Sequence, residues 1–202
     1  MRVLVACEFS GVVREAFRLR GHDAWSCDLL PTDILGPHIQ DDVRRYLRND
    51  WDLLIAHPPC QYLSYAATQY WDRPGRAALR SDAMQFFLDL YNAPIPKIAV
   101  ENPVGLPNTV FRKPDQIFHP YHFGDPFKKR TCLWLRGLPT LRYIANPVEP
   151  PPVAYYKTGK SKGKPIHWCE YLKGFKGGHD RSKTFPGVAT AMAQQWGEND
   201  RS

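Results

Sequence analysis

The chain has 202 residues, of which 43% are hydrophobic and 13% aromatic, enough to bury a core of its own. This composition excludes a disordered or fibrous chain, and no apolar stretch is long enough to span a bilayer. The five cysteines show no paired spacing, and the segment before the first predicted strand is too short for a signal peptide. A reduced, cytoplasmic protein is therefore expected.

The formal net charge of +7 favours a polyanionic partner, because phosphate contacts use clustered lysine and arginine side chains. The alternative is a soluble protein that is basic without such a partner. The clustered side chains lie late in the chain and are Lys157, Lys160, Lys162, Lys164, Lys173, Lys176, Arg181 and Lys183.

Short apolar runs alternate with segments of helical periodicity, which predicts an α/β fold with a doubly wound, mostly parallel sheet. Strands are predicted over residues 2–7, 23–27, 52–56, 98–100 and 131–135. Helices are predicted over residues 12–20, 42–48, 83–90 and 188–196, the first of them ending at Gly21. Residues 29–40 and 61–80 are predicted to be loops, and loops as long as the second are usually functional.

Two predicted strands end in residues that suit covalent chemistry. His57-Pro58-Pro59-Cys60 follows the apolar run that ends at Ala56, and Glu101-Asn102 follows the run that ends at Val100. Open α/β folds place their ligands at the carboxyl ends of parallel strands. A thiol held by two prolines beside a buried acid suits attack on an electrophilic ring. The alternative is a buried structural cysteine.

These two segments carry a family resemblance. Residues Pro58 to Ser64 match the motif Pro-Pro-Cys-Gln-x-x-Ser of the cytosine-5 DNA methyltransferases, and Glu101-Asn102 matches the start of that family's Glu-Asn-Val motif. The chain therefore resembles a compact, phage-type member of the family. The resemblance implies a Rossmann-like methyltransferase fold, with Cys60 as the nucleophile and Glu101 holding the polar edge of the ring. It also implies substrate-binding roles for Gln61, Ser64, Asn102 and Lys129.

The same resemblance points to S-adenosylmethionine as cofactor. The first turn resembles the family's Asp-x-Phe-x-Gly-x-Gly loop through Phe9 and Gly11, whereas Cys7 replaces the aspartate and Val13 the second glycine. These departures leave the affinity for the cofactor, and its identity, open. Asp42 could meet the adenine amine or simply cap the following helix. The cofactor-binding candidates are Phe9, Ser10, Gly11, Asp28, Asp42 and Pro58.

A basic segment between Phe123 and Thr131 resembles the family's Gly-x-Pro-Gln-x-Arg-x-Arg motif, with Gly124 and Pro126 matching. Arg130 is the catalytic candidate for contacting the carbonyl of the base, because its planar fork suits that contact. Lys129 is the other candidate for this contact. The alternative is that the segment is a solvent-exposed basic turn. Residues 184–192 resemble the family's closing motif, a turn and helix that pack beside the cofactor.

The family normally carries a sizeable target-recognition domain, and here only a short segment stands in its place. Residues 1–136 and 183–202 are predicted to form the catalytic domain, and residues 137–182 a reduced recognition region. Interleaved basic and aromatic residues in this region suit phosphate contacts and base stacking. A partner subunit could complete recognition. The nucleic-acid-binding candidates are Lys160, Lys162, Lys164, Lys173 and Lys176.

The resemblance implies methyl transfer from S-adenosylmethionine to carbon 5 of cytosine, with duplex DNA as the expected substrate. One alternative keeps this chemistry on a free pyrimidine nucleotide or single-stranded DNA. Another is a degenerate methyltransferase that acts as a nucleic-acid-binding or regulatory protein; Cys7 and Val13 favour it, and Cys60 and Glu101 disfavour it. No metal and no membrane partner are expected. The residues Cys132, His167, Cys169 and His179 match no regular zinc spacing.

Overall fold

The computed structural model describes residues 1–168 and 183–198. Seven strands form one sheet: β1 (Arg2–Ala6), β2 (Asp23–Asp28), β3 (His38–Gln40), β4 (Leu53–Ala56), β5 (Lys97–Pro103), β6 (Gln116–Phe118) and β7 (Thr131–Arg136). A two-stranded sheet contains β8 (Ala154–Tyr155) and β9 (Pro165–Ile166). The helices are α1 (Val12–Arg18), α2 (Arg76–Tyr91), α3 (Pro107–Val110) and α4 (Pro186–Trp196). Short 3-10 helices span Val43–Arg45, Tyr65–Tyr70, Pro120–Phe123 and Gly159–Ser161.

The predicted fold class is confirmed. The strand order is β3-β2-β1-β4-β5-β7-β6, and neighbouring strands are parallel from β3 to β5. Strand β7 runs antiparallel to β5 on one side and to β6 on the other. Every residue of β4 is buried, as expected for a strand of a parallel sheet that is covered on both faces. The sheet is thus doubly wound, mostly parallel and Rossmann-like.

Each face of the sheet carries its own hydrophobic core. On one face, α1 and α4 pack against β1 and β4 through buried side chains such as Phe17 and Met192. On the other face, α2 contributes Phe87, whose ring meets the Trp134 ring of β7 edge-on at 5.0 Å. The two cores fix the sheet between layers and thereby hold the carboxyl ends of β1, β4 and β5 in register.

Two loop predictions were wrong. Residues 38–40 form β3, whose pairing with β2 begins at Ser26 and His38. This strand is short, polar and at the sheet edge, so its sequence lacks the apolar alternation that marks a half-buried strand. Residues 61–80 contain a 3-10 helix and the start of α2, which begins at Arg76 rather than near residue 83. Within the described residues, no helix is long and apolar enough to cross a membrane.

Candidate active site

Two side chains meet where β4 and β5 end. Ala56 pairs with Val100 in the parallel register, so the next residue on each strand, His57 and Glu101, are neighbours. Side chains alternate along strands, which places both on the face covered by α1 and α4. His57 Nδ1 lies 3.1 Å from Glu101 Oε2, and both side chains are largely buried. This pair is the centre of the candidate site.

Glu101 is ionised in this environment. Burial alone would raise the pKa of its carboxyl group, but the hydrogen bond with His57 and the charge of Lys129 outweigh burial and lower that pKa below its ordinary value. The carboxylate therefore carries negative charge at neutral pH inside a partly enclosed cavity. That cavity is lined by His57, Glu101, Phe118, Pro120, Lys129, Thr131, Lys183, Thr184, Phe185, Val188 and Met192.

The loop that carries Cys60 is tied to the strand that carries Glu101. Asn102 Nδ2 donates a hydrogen bond of 2.8 Å to the carbonyl oxygen of Pro58, and both residues are buried. The backbone N–H groups of Leu63 and Ser64 both donate to the Cys60 carbonyl oxygen and close a tight turn. The side chain of Cys60 is exposed at this turn. The candidate nucleophile is thus presented on the loop that follows β4, at the carboxyl edge of the sheet.

Gly105 brings a second segment against the same loop. The N–H of Leu106 donates to the Leu63 carbonyl oxygen at 2.7 Å, and Ser64 forms a bridge with Gly105. A Cβ atom at residue 105 would collide with the Leu63 carbonyl oxygen, which is backbone and cannot rotate away. Ser64, a substrate-binding candidate, uses its Oγ to accept the N–H of Ala66 and so caps the following 3-10 helix.

Replacement of Gly105 by alanine is expected to destabilise the fold by about 1–3 kcal/mol, the usual cost of forcing an extra carbon into a packed site. Urea unfolding followed by circular dichroism measures this loss as a lower midpoint at unchanged slope. Lys113→Ala, at an exposed residue a few positions along the chain, is the control and should leave the midpoint in place. Equal midpoints for Gly105→Ala and wild type would show that the loop does not need this close approach.

The basic segment before β7 places Lys129, rather than Arg130, beside Glu101. Lys129 lines the cavity and its charge acts on the Glu101 carboxyl group. Its Nζ lies 5.9 Å from the centre of the Phe185 ring. Arg130 is exposed and is not among the cavity-lining residues. Gln61 is also exposed, on the turn after Cys60.

Asp125, in the same segment, has a role that the sequence did not predict. Its two carboxylate oxygens accept the N–H groups of Gly187 and Val188, at 3.1 and 3.2 Å, at the start of α4. The predicted closing helix over residues 188–196 is confirmed and begins two residues earlier. Lys183, just before α4, forms an ion pair of 2.8 Å with Asp33 in the loop after β2. The closing segment therefore packs beside both the first turn and the Glu101 cavity.

The first turn is built around two buried charged groups. Glu8, also missed by the sequence reasoning, accepts the N–H groups of Val13 and Arg14 with its carboxylate and so caps α1. Burial raises the pKa of Glu8, against the opposing influences of His57 and of these two hydrogen bonds. Phe9 and Ser10 are buried, so their side chains belong to the packing of the turn. Cys7, the residue after β1, has a φ of 57°, which lies in the left-handed region, and the chain turns there.

Arg14 occupies the space behind this turn. Its guanidinium is fully buried and donates to Ser26 Oγ at 2.9 Å and to Thr32 Oγ1 at 3.2 Å. A Cβ atom at residue 11 would lie 2.6 Å from the Arg14 guanidinium, and Gly11 has φ 75°. Gly11 is thus required by the fold of the turn itself. Val13, which departs from the family pattern, is buried in the core.

Acidic side chains converge over the end of β1. Asp28 ends β2, is partly buried, and accepts the N–H of Leu30 through Oδ1 at 2.9 Å. Burial, followed by the charges of Asp28, Cys27 and Asp42, raises the pKa of Cys7. Asp42 caps the 3-10 helix after it and forms an ion pair of 2.6 Å with Arg44. The capping role considered for Asp42 is therefore observed.

This set of groups fits a nucleoside with a cationic sulfonium. A carboxylate at the end of β2 suits ribose hydroxyl groups, and several acids near β1 suit positive charge. Pro58 is buried at the start of the Cys60 loop.

The described residues include two basic surfaces. Lys160, Lys162 and Lys164 are exposed around the β8–β9 hairpin, whereas Lys173 and Lys176 lie outside the described residues. A second surface follows Cys60 directly, and sequence reasoning missed it because its arginines are spaced among aromatic and small residues. We call it the arginine–aromatic surface; it comprises Tyr62, Tyr70, Trp71, Arg73, Arg76 and Arg80.

In the arginine–aromatic surface each guanidinium lies over a ring. Arg73 lies 4.5 Å from the centre of the Tyr70 ring, Arg76 lies 4.8 Å from that of Tyr62, and Arg80 lies 4.5 Å from that of Trp71. Stacked arginines retain their outward N–H donors and carry their charge permanently.

The described residues contain no group of three or more His, Cys, Asp and Glu side chains that could hold a metal ion.

No family model matches the chain, and no curated protein matches it. Among solved structures, one similar protein is described as a DNA modification methyltransferase encoded within a prophage in E. coli; identity is 15%, the TM-score is 0.49, and the match covers 74% of this chain and 53% of that one. Another is the Dnmt2 methyltransferase of S. pombe, with 16% identity, a TM-score of 0.48, and coverage of 86% and 59%. The chain thus spans little more than half the length of these proteins.

Proposed function

We propose that the protein methylates carbon 5 of cytosine in DNA through a covalent adduct with Cys60. One observation supports this most: Cys60 and Glu101 are delivered to the same sheet edge by adjacent parallel strands, and the Asn102–Pro58 hydrogen bond ties their segments together. A thiol and a carboxylate carried to one edge of the sheet suit covalent attack on a ring that the carboxylate holds.

Each side chain then has a defined task. The Cys60 thiolate attacks carbon 6 of the ring, which forms a sulfur–carbon bond and moves an electron pair toward carbon 5. Glu101 accepts a hydrogen bond from the exocyclic amine. A proton taken from water as the base binds bridges its carboxylate and the ring nitrogen, moves to that nitrogen as negative charge develops there, and is returned when the ring is restored. Lys129, beside Glu101, offers a positive charge to the carbonyl of the base. Once carbon 5 carries the methyl group, water removes the proton that carbon 5 still bears. The electron pair left behind restores the double bond of the ring and breaks the bond between carbon 6 and Cys60.

S-adenosylmethionine, when bound, supplies the electrophilic methyl group. Asp28 and the backbone of residues 7–11 would hold its nucleoside and sulfonium parts, on the acidic side of the edge. Glu101 and Lys129 lie on the other side, under α4. Cys60 lies on the loop that follows β4, the strand next to β1. The chain thus separates a methyl-donor side from a base side.

DNA is the proposed substrate because the two basic surfaces suit contacts with phosphates. The arginine–aromatic surface begins two residues after Cys60 and combines three permanent charges with rings on which bases stack. A cytosine in a duplex must leave the stack to reach Cys60, and unstacked bases need such platforms. A free nucleotide would present too few phosphates to use both basic surfaces.

A methyl-transfer assay with labelled S-adenosylmethionine tests the proposed function. Duplex DNA, single-stranded DNA and free cytidine nucleotides are compared at equal cytosine concentration, and the product is identified as 5-methylcytosine by mass spectrometry. We expect DNA to be labelled and the free nucleotide to remain unlabelled. Label on the free nucleotide alone would overturn the choice of substrate, and absence of label on all three would overturn the reaction.

The basic surfaces are expected to set DNA affinity and leave the chemistry intact. Replacing Lys160, Lys162 and Lys164 together by alanine should weaken binding to every DNA sequence and reduce the salt slope of binding by about one unit for each phosphate that the variant no longer touches. Replacing Arg73, Arg76 and Arg80 together should do the same. Turnover at saturating DNA should stay near that of the wild type for the lysine variant. Titrations at several salt concentrations measure both quantities.

A charge-matched control removes three exposed cations at the opposite edge of the sheet. Arg20, Arg48 and Lys113 precede β2, β4 and β6, so they lie near the amino ends of those strands. Their replacement by alanine lowers the net charge equally and should leave the salt slope unchanged. A control variant that binds DNA as weakly as the other two would show that total charge, rather than either surface, governs binding.

A further inference from the structure

His57 precedes Pro58 at the end of β4 and is not part of the motif that marks the nucleophile. Its backbone N–H donates to the Ala6 carbonyl oxygen at 3.0 Å, so the residue is fixed between β1 and β5. Only 7% of its side chain is exposed. Its imidazole contacts the Glu101 carboxylate through Nδ1, and this contact fixes one of the two carboxylate oxygens.

The other imidazole nitrogen has a different environment. Within the part of the chain that the structure describes, His57 Nε2 is buried and has no hydrogen-bond partner. A buried N–H without an acceptor costs more than a buried lone pair without a donor, since under-satisfied acceptors are better tolerated. Nδ1 therefore carries a proton and donates it to Glu101 Oε2.

Charged groups from four elements face this pair. Glu8 acts on His57 from the end of β1, and Glu101 contacts it from β5. Lys129, before β7, and Lys183, before α4, line the same cavity. Glu101 is the group among them that shares a hydrogen bond with the imidazole. His57 and Glu101 are thus joined by a direct hydrogen bond, with one further acid and two lysines around them.

We propose that His57 is a positioning residue for Glu101: its Nδ1–H holds Oε2, so that Oε1 is presented to the ring of the substrate. The contribution to turnover rests on the proposed function, whereas the pairing itself does not. Loss of the imidazole removes the hydrogen bond that most strongly lowers the pKa of Glu101, so that pKa should rise. The carboxylate should also lose its fixed orientation, and turnover should fall more than DNA affinity.

Three substitutions of His57 separate positioning from packing. Asparagine places an amide N–H near the position of Nδ1, glutamine places one near Nε2, and alanine places none. His57→Asn should therefore restore most of what His57→Ala loses, and His57→Gln should behave like His57→Ala. Circular dichroism and thermal melts identify any variant that fails to fold, and the comparison of the two amides then decides the matter.

Two readouts are needed. The pKa of Glu101 is measured by carboxyl-carbon NMR titration of the ligand-free protein, assigned with Glu101→Gln, and turnover and DNA affinity are measured separately. We expect His57→Ala to raise that pKa and to lower turnover on the order of 100-fold, the cost of a misplaced catalytic group, with His57→Asn near wild type in both. An unchanged Glu101 pKa in His57→Ala, or equal rescue by Gln and Asn, would overturn the proposal. Absence of methyl transfer by the wild type would overturn the proposed function while the titration still tests the pairing.

Discussion

Glu101→Gln is expected to lower turnover on the order of 100-fold or more while DNA affinity stays close to that of the wild type. Glutamine keeps the size of the side chain and can still occupy the place beside His57, which lies 3.1 Å away. It cannot share a proton with the ring nitrogen as charge develops during attack by Cys60. The loss should therefore fall on the chemical step rather than on binding.

Single-turnover kinetics and DNA titration together test this expectation. Glu149→Gln is the control, because Glu149 is an exposed acid paired with Lys128 on the surface, and its neutralisation should change neither quantity. A variant with unchanged turnover and a raised Michaelis constant would instead identify Glu101 as a residue that binds substrate and transition state equally.

The position of the candidate nucleophile and acid could be predicted from sequence because two strong signals coincide there. The buried runs Leu53–Ala56 and 98–100 are short and apolar; Cys60 lies on the loop after the first, and Glu101 follows the second within β5. The carboxyl ends of adjacent parallel strands lie at the same edge of a sheet, so the fold brings both segments to that edge. The doubly wound sheet was predictable for the same reason.

Residues that act through tertiary contacts were not predictable. His57 is adjacent to the motif, yet only the register of β4 with β5 shows that it meets Glu101. Which cation faces Glu101 depends on how the segment before β7 turns, and there Lys129 lines the cavity while Arg130 is exposed. Adjacent residues in a chain commonly point to opposite sides, so spacing alone could not decide between them.

Two carboxylates that cap helices also could not be predicted from the sequence. Glu8 and Asp125 each accept two backbone N–H groups at the start of a helix, five or more residues away along the chain. The usual capping pattern is local, and these contacts are not. Asp42 shows the local case, in which the capping alternative could be stated beforehand and is observed.

Cys60→Ser is expected to lower turnover on the order of 10,000-fold or more, because the hydroxyl group is a far weaker nucleophile than a thiolate and no step of the chemistry proceeds without the attack. DNA affinity should remain, since Cys60 contributes no charge to phosphate binding. Cys27→Ala is the control: Cys27 is buried in β2, and burial raises its pKa to about 12, so it is not a nucleophile at neutral pH.

The covalent adduct itself tests the central claim most directly. DNA with 5-fluorocytosine at the target position is incubated with the protein and S-adenosylmethionine, and intact mass spectrometry follows the protein. Fluorine cannot leave as a proton does, so the bond between Cys60 and carbon 6 should persist and the protein mass should rise by that of the methylated DNA strand in the wild type and in Cys27→Ala, but not in Cys60→Ser. An unmodified wild-type mass, under conditions in which ordinary cytosine DNA is methylated, would contradict the proposed mechanism.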